Sequence, residues 1–156
     1  MSKKSASTVF LRVVVWLLAL LVLALCVFAL PAGLRSNHVG GYRLILLGMY
    51  IPAIPFFIAV HQILRLLDLI DRNRAFSAAS IRALTTIKYA ALTIGALYGA
   101  GLPYIFYMAQ KDDAPGVVLL GLIFTFGPLA VAALAGVLQK LFESAIPIKS
   151  ENDLTV

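Results

Sequence analysis

The run VVVWLLALLVLALCVFAL, Val13 to Leu30, holds 18 residues without a charge and follows Lys3, Lys4 and Arg12. Crossing the hydrocarbon core of a bilayer takes about 20 mostly apolar residues in a helix. A positive stretch before an apolar run also describes a secretory signal. Signal cores, however, stop at about 7–15 residues and end in a small-residue cleavage site. No A-x-A site sits cleanly after Leu30. The run therefore reads as an uncleaved transmembrane helix over roughly residues 10–31, ended by Pro31 and Gly33. Cys26 lies inside it and, as a lone cysteine, has no internal disulfide partner.

The rest of the chain extends this reading. Of its 156 residues, 62% are hydrophobic and 13% charged, against about 45–50% and about 25% in soluble domains. Three further apolar stretches, approximately 42–70, 78–108 and 116–146, leave only a tail at 147–156. The expected fold is a single all-α polytopic membrane domain over 1–156 with four transmembrane helices. The second stretch is too long for one straight span and carries Pro52 and Pro55, which remove backbone donors and bend a helix. No charge lies near them, which favours a kink over a binding site at a broken helix. Pro103 and Pro128 are expected to bend the third and fourth helices.

Between the second and third helices the character changes. His61, Arg65, Asp68 and Arg72 fall on one helical face, and Asp68 can pair with Arg65 or Arg72 at three or four residues' spacing. DRNR, Asp71 to Arg74, reads as the turn. Ser77 is a good N-cap for a helix starting at Ala78, with Phe76 and Ile81 at the two positions of a hydrophobic staple. The third helix is longer than the hydrocarbon core, so its first turns, with Arg82 and Lys88, belong to the interface or to water.

Two stripes of small residues follow. Ala91, Gly95 and Gly99 lie on one face of the third helix, and Ala132 and Gly136 on one face of the fourth. Such spacing lets helices approach closely in lipid, and it reads here as packing within the chain rather than homodimerisation. The oligomeric state stays open. Past Gln139 the fourth helix is amphipathic: Leu138, Leu141, Phe142 and Ala145 oppose Gln139, Lys140, Glu143 and Ser144. Pro147 is expected to stop it before IKSENDLTV.

The net charge of +6 is unevenly placed. Ten of the 13 lysines and arginines lie at the amino terminus, in 61–88 and beyond Gln139; Arg35, Arg43 and Lys111 lie on the other side. The positive-inside rule then puts both termini and the middle loop in the cytoplasm. Because the basic residues flank apolar runs, they imply a lipid bilayer as partner and no direct nucleic-acid binding.

Chemistry is sparse. An ion or proton path usually needs ionisable residues within the hydrocarbon, and the span centres carry none. His61 sits toward the basic side and His38 on the other, so they cannot share a metal. Asp112 and Asp113 lack a partnering acid, base or ligand and read as a solvated turn. No phosphate loop, dinucleotide turn, GxSxG or HExxH is present. No enzyme, catalytic residue, metal site or cofactor is expected.

The ending LQKLFESAIPIKSENDLTV resembles that of a family of small bacterial four-helix membrane proteins, domain-of-unknown-function family 2975. Glu151, Asn152, Asp153, Leu154, Thr155 and Val156 match its terminal motif, and Phe76, Ser77, Arg82 and Leu84 are similar to its hairpin start. The likeness runs from about Tyr42 to the end. Ala75, Ala78, Ala79 and Ser80 depart from it, where proline, acidic residues and asparagine are expected. The resemblance implies a multi-pass protein of the bacterial inner (plasma) membrane without a settled activity. Members often accompany a small helix-turn-helix regulator. This suggests a non-enzymatic anchor or regulatory partner of a cytoplasmic protein, docked through Arg65, Asp68, Arg72, Arg74, Arg82, Glu151, Asn152, Asp153 and Leu154. The alternatives are a small oligomeric transporter or channel and a passive envelope component.

Overall fold

A computed structural model of the protein describes residues 6–154, with the side chains of Ser150 and Asp153 left out of the description. Lys3, Lys4, Thr155 and Val156 lie outside the described residues. Every element described is helical: α1 (Ala6–Ala24), a π-helical turn (Leu25–Ala29), α2 (Leu30–Arg35), a 3-10 turn (Gly40–Tyr42), α3 (Arg43–Gly48), α4 (Tyr50–Asp71), α5 (Ala78–Lys111) and α6 (Pro115–Leu154). They make four helices long and apolar enough to cross a membrane, Ala6–Arg35, Gly40–Asp71, Ala78–Lys111 and Pro115–Lys149.

Alanines make up half of the buried apolar residues, beside larger ones such as Leu84, Ile87 and Met108, and large apolar side chains cover the exterior. Ala83, Ala90, Ala91, Ala109, Ala132 and Ala135 are buried, whereas Phe10, Leu21, Phe28, Ile54 and Leu134 are exposed. In water so wide an exposed apolar surface would be unfavourable. In lipid the tails are as apolar as leucine, so association rests on close packing of small side chains, and large ones face outward at no cost. α5 packs mainly on α6 and α4, and α1 mainly on α4.

Two prolines act differently from expectation, Pro31 and Pro147. Pro31 and Gly33 do not end the first helix, which continues to Arg35. Proline lacks an N–H and its ring crowds the carbonyl four residues back. The chain answers by widening to a π-turn: Leu30 N–H bonds Leu25 O, five residues back. In that register the carbonyl of Cys26 would look to Pro31, which has no hydrogen to give. The Tyr50 hydroxyl supplies it instead, donating to Cys26 O at 3.0 Å from α4. A backbone group freed in a membrane helix is thus satisfied by a neighbouring helix. Tyr50→Phe removes that donor and is expected to lower stability by about 1–2 kcal/mol, read as a drop in thermal midpoint in micelles.

The second span runs over Gly40–Asp71 with an interruption inside it. The regular pattern is interrupted at Met49, between α3 and α4, where the backbone stays helical and Met49 N–H still bonds Ile45 O at 3.0 Å. Pro52 then sits in the first turn of α4, where no intrahelical N–H is required. α4, α5 and α6 run on through Pro55, Pro103 and Pro128. Nor does Pro147 stop α6, which reaches Leu154. One lost bond, to the carbonyl of exposed Glu143, leaves an acceptor that the surroundings of a projecting helix can solvate.

Candidate functional site

The loop between α4 and α5 is built by local rules. Asn73 is left-handed, with φ 57°. Asn73 N–H bonds Ile70 O at 3.1 Å and Arg74 N–H bonds Leu69 O at 2.8 Å. This pair of bonds closes the end of α4 as a Schellman motif, and asparagine tolerates the left-handed position. Ser77 is the N-cap of α5, its hydroxyl oxygen accepting from Ser80 N–H at 3.3 Å. The Ser77 and Ser80 hydroxyls both donate to Arg74 O, at 2.8 Å and 3.2 Å. Ser80, one of the positions that departs from the family pattern, is fully buried by this arrangement. The Phe76 ring meets Phe142 of α6 edge-on at 5.1 Å between centroids, which docks the loop on the fourth span.

Beside this loop sits a polar cluster that the sequence did not single out. Asp71, in the last turn of α4, is buried. The Thr8 hydroxyl donates to its Oδ1 at 2.7 Å and Arg12 Nη2 to its Oδ2 at 3.1 Å. Arg12 also reaches Asp68 at 3.7 Å, and Arg72 pairs with Asp68 at 3.1 Å. Asp68 therefore pairs with Arg72 and Arg12, while Arg65 forms no ion pair among the described residues. Two signals were available. Thr8 and Arg12 are one turn apart on α1. Acids near a helix carboxyl end oppose the helix dipole, so Asp68 and Asp71 call for cations from elsewhere. The cluster ties α1 to α4 at the end where the basic residues gather.

The other sequence-selected residues divide between that surface and the helix seams. Arg65, Arg72, Arg74, Arg82, Glu151, Asn152 and Leu154 are exposed, and Asp68 is half-buried. Lys88 lies over the Tyr89 ring at 4.9 Å. The small stripes lie in the α5–α6 seam: Ala91 and Ala132 are buried, Gly95 faces Leu129 and Thr125, Gly99 faces Thr125, and Gly136 faces Lys88.

At the opposite end the three-residue turn 112–114 joins α5 to α6, with Asp113 left-handed at φ 51°. Tyr104 donates to Gly41 O at 2.7 Å and Arg43 Nη2 to Leu34 O at 3.0 Å. Below them a cavity of about 400 Å³ opens between α3, the start of α4, α5 and α6.

Comparison with known proteins places the chain. The family model described as "Protein of unknown function (DUF2975)" matches residues 2–156, which includes the first span as well as the region from Tyr42 onward. The chain is also similar to the "Uncharacterized membrane protein YoaS" of Bacillus subtilis (strain 168), 46% identical over 156 residues, covering 96% of this chain and 98% of that protein. No solved structure matches. The chain belongs to the DUF2975 family of membrane proteins.

Proposed function

We propose that the protein is a non-enzymatic anchor and regulatory partner for a cytoplasmic protein, which docks on the basic end of the bundle. In this reading both termini and the 72–77 loop face the cytoplasm of a bacterial inner membrane, as the charge distribution favours. The observation that carries the proposal is the reach of α6. Its 40 residues extend about 60 Å, twice the roughly 30 Å hydrocarbon core. The short turn 112–114 holds α5 and α6 level at the far end, so the excess projects at the basic end. α6 runs twelve residues beyond Phe142, its contact with the loop. Leu141, beside that contact, and Ile148, on the projection seven residues on, share a face and are exposed.

An exposed apolar face on a helix clear of the bilayer, beside exposed Arg65, Arg72, Arg74 and Arg82, suits a protein surface. Lipid headgroups alone would account for the arginines, at about 1 kcal/mol each. They would not account for the acidic end of α6, which anionic lipid repels. The partner class that the family resemblance suggests is a small helix-turn-helix regulator.

The test is capture of the tagged full-length chain from native membranes, against a version truncated after Ile146. The expected result is a stoichiometric cytoplasmic protein that rebinds the purified full-length chain one-to-one and fails to bind the truncated one. Recovery of the chain alone, unchanged by truncation, rejects the reading.

A further inference from the structure

The cavity at the end away from the basic residues is walled by apolar side chains, among them Leu44, Met49, Leu97, Ile105, Leu120 and Phe124. Its volume of about 400 Å³ falls within the roughly 300–1,000 Å³ of ligand pockets. The segment of α5 that lines it, from Leu97 to Ile105, lies about 9–21 Å from Lys111 along the helix. That depth is within the roughly 30 Å hydrocarbon core. An apolar cavity does not hold water.

Two of the lining residues are glycines with nothing packed on them. A Cβ built on Gly48 or Gly101 meets no atom within 4 Å. The contrast with other glycines is informative. At Gly41, Gly95 and Gly121 a Cβ would press on Met108, Leu129 and Leu102, so there the missing side chain makes room for this chain's own atoms. Glycine weakens a helix relative to alanine, and at half-buried Gly101 no neighbour of the chain uses the space it leaves. Arg43, at the start of α3, is next in the chain to the lining Leu44 and is exposed. One of its nitrogens is bonded to Leu34 O. A guanidinium has five N–H donors, and the others suit a phosphate oxygen.

We propose that this cavity holds one acyl chain of a phospholipid whose phosphate is met by Arg43. The hydrocarbon lining selects a hydrocarbon occupant, the depth selects one inserted from the bilayer, and the exposed arginine next to Leu44 selects a headgroup that carries an anion. The site is at the opposite end from the docking surface and stands or falls independently of it.

The test is native mass spectrometry of the full-length protein purified in mild detergent. Wild type is expected to retain one phospholipid mass per chain. Gly101→Phe fills the space from within and should reduce that occupancy at least tenfold. Gly127→Phe, on an exposed glycine that is equally open but does not line the cavity, should leave it unchanged. Arg43→Gln should lower retention with the fold intact. Photolysis of wild type with a phosphatidylglycerol carrying a diazirine on its chain covers the case in which Gly101→Phe fails to fold. It should label peptides from 97–105 or 117–124. Wild type holding no lipid, an adduct lighter than a phospholipid, equal retention by the two phenylalanine variants, or labelling spread over the exposed faces of α1 would each overturn the proposal.

Discussion

Asp71→Ala is expected to destabilise the protein by on the order of 3 kcal/mol, the cost of breaking a buried ion pair by removing one partner. The Asp71 side chain is 2% exposed and that of Arg12 20%. Without Asp71, the Arg12 guanidinium keeps only Asp68 among the described residues, at 3.7 Å and 45% exposed, and its buried Nε already has no hydrogen-bond partner among them. The loss falls where the fold has little in reserve. α1 packs mainly on α4, and in lipid that packing has no hydrophobic drive behind it. The other hydrogen bonds of the first span to α4 and α3, Tyr50 to Cys26 O and Arg43 to Leu34 O, lie beyond α1 in the π-turn and α2. Thermal unfolding in micelles should therefore show an early loss of α1, seen as proteolysis near Arg12 before the rest melts. Two controls separate the pair from its surroundings. Asp68→Ala, at a more exposed carboxylate, should cost about 1 kcal/mol or less. The double variant Arg12→Met/Asp71→Leu should recover most of the stability, because an apolar pair of similar size often replaces a buried ion pair without loss. Equal effects from Asp68→Ala and Asp71→Ala would show that burial of Asp71 is not what matters.

What could be read from the sequence followed a simple division. Properties set by composition and local rules were legible: four apolar spans, a Ser77 cap, a turn within a few residues of DRNR (71–74), small stripes at Ala91–Gly99 and Ala132–Gly136. Each depends on residues within a turn or two of one another. Properties set by contacts distant in the chain were not. Asp71 looked like part of a turn because its partners, Thr8 and Arg12, are 63 and 59 residues away. Spacing offered Asp68 both Arg65 and Arg72; the Arg72 pair forms, and Arg12 comes from another helix to share the carboxylate. Pro31 was misread for a related reason. A proline's local effect is to break a helix, but Pro31 is absorbed by a π-turn that works only because Tyr50 waits on α4 with a hydroxyl. The cavity left almost no trace, since Gly48 and Gly101 look in the sequence like Gly95, whose role is the opposite.

Gly95→Leu is expected to cost about 3 kcal/mol, the upper end of the range for overpacking. A Cβ on Gly95 would already lie 2.6 Å from Leu129 Cδ2, 2.8 Å from its Cγ and 3.3 Å from Thr125 O. The leucine can turn aside in part. The Thr125 carbonyl belongs to the α6 backbone, and the buried Thr125 side chain is itself bonded to Gly121 O at 2.8 Å. α5 and α6 must therefore separate, and in lipid close approach is most of what holds them together. Gly99, the second glycine of the same GxxxG, supplies the comparison. A Cβ there meets Thr125 Cγ2 at 3.5 Å, an ordinary contact. Gly99→Ala should be neutral or stabilising, since alanine favours the helix by about 1 kcal/mol. Gly95→Ala should lower the thermal midpoint in micelles, with the smaller side chain costing less than leucine. This ordering distinguishes a seam within the chain from a seam between chains. If the motif joined two copies, Gly99→Ala would shift the mass measured by light scattering, and Gly95 and Gly99 would respond alike. If it joins α5 to α6 of one chain, the mass stays constant and Gly95 alone is sensitive.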